Sequence, residues 1–496
     1  MKENNKLYLI AFTPLVATSV LTVSACEKAQ KPNILVVLCD DLGYNDVSFN
    51  GSKDIRTPNL DSLASSGVIF NSAYVAHPFS GPSRASLMTG RYSHVIGTPY
   101  NLRDEGYESD LGVPVNETYI SNVLQDAGYF TSAIGKWHLG DGERFTPNIR
   151  GFDEFYGFLG GGHKYFPEQF NKMYLNQVQA GKYPINGYLL PLKHNKETVD
   201  EKEYITDALS REAINSINMS KDKKKPFFIY LAYNAPHVPL EAKIEDLAQF
   251  PDIKDNDRKI YAAMVYAVDR GVGDIVKTLR ANNQLDNTLI VFLSDNGGNT
   301  DHGANNDPLK GTKGDTWEGG YRTPMFFHWP AKIQAGKRYD DLVSALDLYP
   351  TFVNMAGAKL PKGKVLDGVD IMNDVIDGKA KDKERMIFAL RYREGYSDVG
   401  VRQGDWKATR MGNEPWGLYN VSKDMGEHKD LGGQFPDRLK TLVAAAEKWS
   451  QTHVKPLWVY SQTDEELWNN GFLPNYKATF EVDKLIAPPS NYKLTK

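Results

Sequence analysis

Apolar runs and amphipathic stretches alternate along the first two thirds of the chain. Five apolar runs, most of them rich in β-branched residues, are typical of strands buried on both faces: 33–39, 129–134, 226–232, 288–294 and, more weakly, 325–329. Two helical patterns lie among them, at 57–67 and 258–280. This alternation predicts an α/β fold with a mostly parallel central sheet flanked by helices.

Two stretches depart from this rhythm. Residues 141–205 are rich in Gly, Tyr, Phe, Asn and Lys with little periodicity, which predicts a long irregular loop over a functional site. Residues 357–385 have the composition of a linker, and short strand-like pieces with an amphipathic helix at 437–449 follow. We therefore expect a large α/β domain over 26–380 and a smaller C-terminal subdomain over 381–496, with an antiparallel sheet plus one helix.

The first 25 residues have the pattern of an export signal. A short lysine-containing start precedes an apolar stretch interrupted by Pro14, and the stretch ends in Val-Ser-Ala-Cys, which resembles a bacterial lipobox. A transmembrane anchor, for which the run is short, and a simple signal cleaved after Ala25 are the alternatives. The favoured interpretation is a lipoprotein signal peptide over 1–25, with Cys26 lipidated and anchored to a membrane. The other cysteine, Cys39, then has no disulfide partner.

Composition adds two limits. The chain of 496 residues is 41% hydrophobic and 24% charged, which is typical of a soluble globular protein with a large core. Its net charge of −4 argues against nucleic acid as a partner.

Polar side chains follow the ends of the predicted strands, where open parallel sheets place their ligands. Asp40 and Asp41 come directly after the first run, and Asp295 and Asn296 come directly after the run at 288–294. Their oxygen atoms suit Ca²⁺ or Mg²⁺, and the set lacks the Cys and His ligands typical of zinc. In isolation, a solvated turn that caps the next segment is the better explanation of Asp40 and Asp41.

Basic and histidine side chains occupy similar positions. Lys136 and His138 follow the run at 129–134, and His237 follows the run at 226–232. A lone histidine is more often structural than catalytic, but two in strand-end loops favour chemistry. Lys313 lies in a glycine-rich basic segment that suits an anion, and no nucleotide-binding fingerprint is present.

The stretch Ser80-Gly81-Pro82-Ser83-Arg84 runs into a helical pattern that stops at Gly90. Ser80 is thus expected at a helix N-terminus, where free N–H groups and the helix dipole favour negative charge. Arg84 lies one turn further on. On the local sequence alone, an ordinary turn and N-cap is the better explanation, so the role of this stretch depends on the rest of the chain.

Residues 80–90 resemble the sulfatase signature (C/S)-x-P-S-R-x-x-x-L-T-G in its serine form. Further family motifs match in family order between about residue 32 and about residue 450: GKWHLG, SDNGG, K-G-x-x-x-E-G-G-x-R-x-P, LDLYPT at 346–351 and LYNVSKDMGEHKDL at 418–431. The resemblance implies an alkaline-phosphatase-like fold, with the sulfatase catalytic domain over 26–380.

In that family the signature residue is oxidised to formylglycine (3-oxoalanine), which acts as its hydrate. The resemblance gives Ser80 this role. Its serine form implies a serine-type formylglycine-generating radical maturase as a partner. By the same match one Ca²⁺ is held beside residue 80, and the implied ligands are Asp40, Asp41, Ser80, Asp295 and Asn296.

The resemblance also implies a role for each basic residue. Arg84 and Lys136 stabilise and orient the deprotonated diol, and Lys313 binds sulfate together with Lys136. His237 corresponds to the general acid that protonates the leaving alcohol. His138 corresponds to the base that takes a proton from the remaining hydroxyl, so that sulfate is expelled.

The resulting expectation is a sulfuric ester hydrolase that removes sulfate from a sulfated carbohydrate, a host or algal glycan, with exo action on a terminal sugar. His163 is the candidate for a sugar contact, alongside the sulfate-binding residues Lys136, His237 and Lys313. The lipobox and serine-type signature suggest the periplasm or outer membrane of a Gram-negative anaerobic bacterium. Two alternatives remain: a phosphate or phosphonate ester hydrolase of the same superfamily, and a non-catalytic lipoprotein that binds sulfated glycans.

Overall fold

A ten-stranded sheet forms the centre of this computed structural model, which describes Met1 and residues 30–102, 110–393, 396–412 and 414–470. A two-stranded and a four-stranded sheet accompany it. The strands in chain order are β1 (Asn33–Cys39), β2 (Val68–Phe70), β3 (Ala73–Tyr74), β4 (Phe130–Lys136), β5 (Glu154–Phe158), β6 (Lys193–His194), β7 (Glu197–Thr198), β8 (Phe227–Ala232), β9 (Thr288–Ser294), β10 (Met325–His328), β11 (Lys337–Tyr339), β12 (Val343–Ser344), β13 (Met386–Arg393), β14 (Tyr396–Gln403), β15 (Trp406–Arg410) and β16 (Gly417–Asn420).

Five neighbouring strands of the large sheet, in the order β9-β1-β8-β4-β5, pair in parallel. Every residue of β1, β4, β8 and β9 is buried, as their continuous apolar sequence predicts for strands covered on both faces. The last predicted strand, β10, instead runs antiparallel to β9.

Helices cover both faces of this sheet. Their bounds are α1 (Pro58–Ser65), α2 (Ser80–Thr89), α3 (Ile120–Asp126), α4 (Pro167–Gln179), α5 (Ile205–Asp222), α6 (Ile244–Leu247), α7 (Asn256–Ala281), α8 (Glu318–Tyr321), α9 (Leu348–Met355), α10 (Met372–Asp377), α11 (Pro436–Ser450) and α12 (Gln462–Asn469). Alternate residues of β1 face two separate hydrophobic cores. One core contains side chains of α5 and α7, and the other contains side chains of α2, α3 and α9.

Strands β13 to β16 form an antiparallel sheet in sequential order, and α11 packs on β14 and β15. The α/β fold with a mostly parallel central sheet and a smaller antiparallel sheet plus helix is therefore confirmed. The proposed division between 26–380 and 381–496 stays a prediction. By its contacts, the chain from Pro32 onward forms one compact unit.

The prediction of one irregular loop over 141–205 is wrong. This segment contributes β5 to the central sheet and also forms α4, a helix of 13 residues. Phe170, Met173, Tyr174 and Val178 recur along α4 at helical spacing, although only Pro167 and Phe170 of the helix are buried.

The predicted signal peptide at 1–25 and the lipidation site Cys26 lie outside the described residues. Within the described part of the chain, no helix combines the length and the hydropathy that crossing a bilayer requires. Cys39 is buried at the end of β1. Its burial raises the pKa of the thiol, and the nearby carboxylates of Asp295 and Asp40 raise it further, so the side chain behaves as a small hydrophobic group.

Candidate active site

The carboxyl ends of the parallel strands β9, β1, β8 and β4 meet at one edge of the central sheet, where sites of open α/β sheets form. The sheet brings distant residues into contact there: Asn296 Nδ2 donates to Asp41 Oδ1 at 2.7 Å across 255 positions. The predicted site residues follow these strand ends: Asp40 and Asp41 after β1, Lys136 and His138 at the end of β4, His237 after β8, and Asp295 and Asn296 after β9.

Ser80 lies at the first residue of α2, as the sequence predicts, and is 2% exposed. Its Oγ is 3.1 Å from Asp40 Oδ1 and 3.1 Å from Asn296 Oδ1. The neighbouring Gly81 N–H donates to Asn101 Oδ1 at 2.8 Å. The helix ends at Gly90, whose left-handed φ of 67° closes its last turn. The hydroxyl of Ser80 is thus fixed among oxygen atoms from two strand ends.

Three buried cations face the three carboxylates of the site. Lys136 Nζ is 2.6 Å from Asp40 Oδ2, and Lys313 Nζ is 2.7 Å from Asp41 Oδ1. Arg84 Nε donates to Asp295 Oδ2 at 2.8 Å. The formal charges of these six side chains sum to zero: Asp40, Asp41, Asp295, Arg84, Lys136 and Lys313. A buried polar cluster of this kind contributes little net stability for its cost in desolvation, which points to a functional role.

The cations keep these carboxylates ionised. Burial raises the pKa of Asp40, but Lys136, His237 and Arg84 outweigh it and hold that pKa below the ordinary value. Burial likewise raises the pKa of Asp41, and Lys313 and His237 reverse the shift. The side chains therefore present negative oxygen atoms toward Ser80 at neutral pH.

The donor set fits a hard divalent cation. Asp40, Asp41 and His237 each offer a ligand atom, and these atoms lie within 4.8 Å of one another. The Oδ1 atoms of Asp40 and Asn296 additionally converge on Ser80 Oγ. Carboxylate and amide oxygens are the ligands that Ca²⁺ prefers in proteins. The described residues thus include an acidic cluster suited to a metal ion.

Two site residues have left-handed backbone conformations that are uncommon outside glycine. Asp41 has φ of 63° and His138 has φ of 61°. Such strain persists only where the surrounding structure imposes it, and it concentrates at functional sites. Both residues immediately follow the strand ends that carry the chemistry.

The two histidines present different ring nitrogens. His237 Nδ1 donates to the Val238 carbonyl at 2.7 Å, and its Nε2 lies 3.8 Å from Asp41 Oδ2. His138 Nε2 donates to the Leu102 carbonyl at 3.2 Å, while its buried Nδ1 has no hydrogen-bond partner among the described residues. Burial lowers the pKa of both rings, most strongly for His138, which also faces Lys136.

The expectation of a sugar contact at His163 needs correction. This side chain is fully buried and packs edge-on against Phe170. Its Nδ1 is 2.6 Å from the Lys164 carbonyl and its Nε2 is 2.7 Å from the Leu190 carbonyl. Both ring nitrogens are engaged by backbone, so His163 stabilises the segment between β5 and α4 instead of facing a ligand.

Two positions at or behind the site, Asn101 and Tyr165, were not predicted. Asn101 accepts the Gly81 N–H, as described above. Tyr165 Oη is 2.7 Å from the His237 carbonyl oxygen and 2.8 Å from the Asn234 carbonyl oxygen. The phenol therefore holds the backbone of the loop that carries His237. Glu318 is fully buried, and its Oε2 is 3.0 Å from Arg322 Nη1. This buried ion pair gives both residues a structural role. Asn101 and Tyr165 carry no motif that would have marked them.

Comparison with known proteins agrees with this geometry. The sulfatase family model matches residues 32–358, and the model described as N-sulphoglucosamine sulphohydrolase, C-terminal, matches residues 313–446. The chain is 36% identical to "Uncharacterized sulfatase YdeN" of Escherichia coli (strain K12), covering 92% of this chain and 91% of that protein.

Two further relatives extend the likeness. The chain is 32% identical to the N-acetylgalactosamine-6-sulfatase of Canis lupus familiaris over 79% of this chain and 74% of that protein. The crystal structure of Ps i-CgsB in complex with k-i-k-neocarrahexaose superimposes with a TM-score of 0.89 at 54% identity, covering 91% of this chain and 100% of that one. This chain therefore belongs to the sulfatase family and is a sulfuric ester hydrolase.

Proposed function

We propose that this protein removes sulfate from a sulfated carbohydrate of the carrageenan class, with Ser80 matured to formylglycine and one Ca²⁺ bound beside it. The observation that carries the proposal is the convergence of Asp40 Oδ1 and Asn296 Oδ1 on Ser80 Oγ, each at 3.1 Å. The substrate class rests on the relative of 54% identity that was crystallised with a neocarrahexaose.

The chain's own residues supply binding and proton transfer. Lys136 and Lys313 carry the charge that holds an anionic ester against the site, and Arg84 fixes Asp295 and so the carboxylate edge. Calcium, when bound, polarises a sulfate oxygen, and hydrated formylglycine supplies the nucleophilic hydroxyl. Asp40, Asp41, Asp295 and Asn296 are the side chains that would hold the ion.

The histidine geometry supports the assignment of acid and base. His237 Nδ1 is committed to a carbonyl, so only Nε2 is available to give a proton to the leaving sugar oxygen. The free Nδ1 of His138 is an acceptor in a neutral ring, since burial holds its pKa far below the ordinary value. That atom suits a base.

Exo action, export as a lipoprotein through Cys26, and a serine-type radical maturase as partner belong to the same proposal. Mass spectrometry of protein from a host that encodes such a maturase should find the peptide containing Ser80 lighter by two hydrogen atoms. Sulfate release from neocarrahexaose should follow this modification, and Ser80→Ala should abolish it. Unmodified serine throughout, together with full activity, would refute the formylglycine role.

The acid role of His237 has a separate test. We expect His237→Ala to lower kcat on a carbohydrate sulfate by about 100-fold or more, because an alkoxide leaving group needs a proton. The same variant should lose far less on 4-nitrophenyl sulfate, whose phenolate leaves unaided. Equal losses on the two substrates would contradict the assignment.

A further inference from the structure

The guanidinium of Arg391 lies beside the site, where it contacts the residue before Ser80 and the residue after Lys313. Its Cζ is 4.6 Å from the centre of the Phe79 ring, and its Nη1 donates to the Gly314 carbonyl at 3.1 Å. Arg391 belongs to β13 of the C-terminal sheet, whereas most residues of the site follow strands of the central sheet.

Among the described residues, no carboxylate forms an ion pair with Arg391. Asp398 lies opposite it across the β13–β14 pair, but Asp398 Oδ2 accepts from Arg393 Nε and its Oδ1 accepts from the Gly412 N–H at 2.7 Å. Arg393 is therefore neutralised and Arg391 is not. Burial and the neighbouring Arg393 lower the pKa of Arg391, and the carboxylates of Asp398 and Asp315 only partly oppose the shift, so an anion in direct contact would stabilise the guanidinium.

The cations deeper in the site are already matched. Lys136 faces Asp40, Lys313 faces Asp41, and Arg84 faces both Asp295 and Asp40. Under the proposed function, the lysines and the metal ion receive the sulfate that is cleaved. A second negative group on the same glycan would need a cation of its own, and Arg391 is half-buried beside the entrance.

An aromatic ring completes this rim. Tyr460 is 38% exposed, and its Oη accepts from the Asn101 N–H at 3.1 Å. Asn101 Oδ1 in turn accepts from the Gly81 N–H at 2.8 Å, so two hydrogen bonds connect this phenol to the residue after Ser80. A partly exposed ring beside the site suits the face of a sugar, and the Arg391 guanidinium suits an anionic substituent on it.

We propose that Arg391 binds a second sulfate of the glycan, on the sugar next to the one that is desulfated, and thereby selects multiply sulfated over singly sulfated substrates. The planar fork of arginine matches two oxygen atoms of a sulfate, which lysine does not reproduce. The substrate class in this inference rests on the proposed function, whereas the position and charge of Arg391 do not.

Binding measured without turnover tests the inference. The calcium-loaded full chain with unmodified Ser80 is titrated calorimetrically with two neocarrahexaoses that differ only in one sulfate, next to the sulfate at the cleaved position. We expect the more sulfated hexaose to bind about 10- to 100-fold more tightly, the range of a charge-assisted hydrogen bond. Arg391→Gln should abolish this difference, and Arg391→Lys should keep part of it.

Arg438→Gln is the matched control, because Arg438 is exposed on α11 and packs on Trp406 away from the site. It should leave both dissociation constants unchanged. A wild-type chain that does not distinguish the hexaoses, or an Arg391→Gln variant that weakens both equally, would overturn the inference. Discrimination in binding with no sulfate release by matured enzyme would refute the proposed function alone, and binding of neither hexaose would refute both.

Discussion

Replacing Lys407 by methionine tests the buried ion network between the active-site segment and the C-terminal sheet. Lys407 Nζ, on β15, is 2.8 Å from Glu427 Oε1 and 3.1 Å from Glu318 Oε1, and all three side chains are fully buried. Glu318 begins α8, five residues after Lys313, and its backbone N–H donates to Glu427 Oε2 at 2.7 Å. Lys407 thus stabilises two carboxylates that hold the segment following Lys313.

The expected cost follows from these distances. At an effective dielectric constant of about 20, the two attractions amount to about 6 and about 5 kcal/mol, and the desolvation of the lysine offsets much of them. Removing one partner of a buried pair typically costs about 3–5 kcal/mol, because the remaining charge stays buried. We expect Lys407→Met to lower the free energy of unfolding by that amount.

The loss should depend on pH. Burial raises the pKa of Glu427 to about 7 even though Lys407 opposes the shift, so the variant's pKa lies higher still. A raised carboxyl pKa means that stability is lost as pH rises from the unfolded value toward the folded one. Above about pH 7 the wild type has completed this loss, whereas the variant continues to lose up to about 1.4 kcal/mol per pH unit.

Urea unfolding followed by circular dichroism at about pH 6 and about pH 8 measures both effects. Lys423→Met is the control, because Lys423 is exposed in the same subdomain and should change stability by less than about 0.5 kcal/mol. Adding Glu427→Gln to the Lys407→Met variant should recover part of the loss. A cost below about 1 kcal/mol, or a deficit that shrinks as pH rises, would refute the reasoning.

Three further predictions concern other parts of the molecule. Burial lowers the pKa of His94 from 6.5 to about 3, so the free energy of unfolding should fall as pH drops below about 6.5. In His94→Leu the urea midpoint should depend less on pH in this acid range. An unchanged pH dependence would contradict the prediction. Chelation of calcium should lower the melting temperature. Calcium at about 100 times its Kd should then restore about 2.7 kcal/mol of folding stability in the wild type and none in Asp40→Asn. A stabilisation retained in that variant would exclude Asp40 as a ligand. Tyr165→Phe removes the hydroxyl that donates to the His237 carbonyl and should lower the free energy of unfolding by about 1–2 kcal/mol. Its kcat should fall more on carbohydrate sulfates than on 4-nitrophenyl sulfate. Equal falls would show that Tyr165 does not position His237.

The sequence itself determined the centre of the fold. Strands that are covered on both faces are apolar throughout, so the continuous apolar runs of β1, β8 and β9 predicted them as strands. Because they pair in parallel, the polar residues directly after them had to gather at one edge, which is where Asp40 and Asp295 lie. The positions of these site residues followed from local pattern and one topological rule.

Only the tertiary structure decided which polar groups are engaged and which are free. His163 looked available in sequence, yet two carbonyls from separate turns occupy its ring nitrogens. Asp398 lies opposite Arg391 in the strand register, yet it accepts from Arg393. Hydrophobic periodicity reports burial along a single element, whereas the pairing of charges depends on distances between elements that no local pattern encodes.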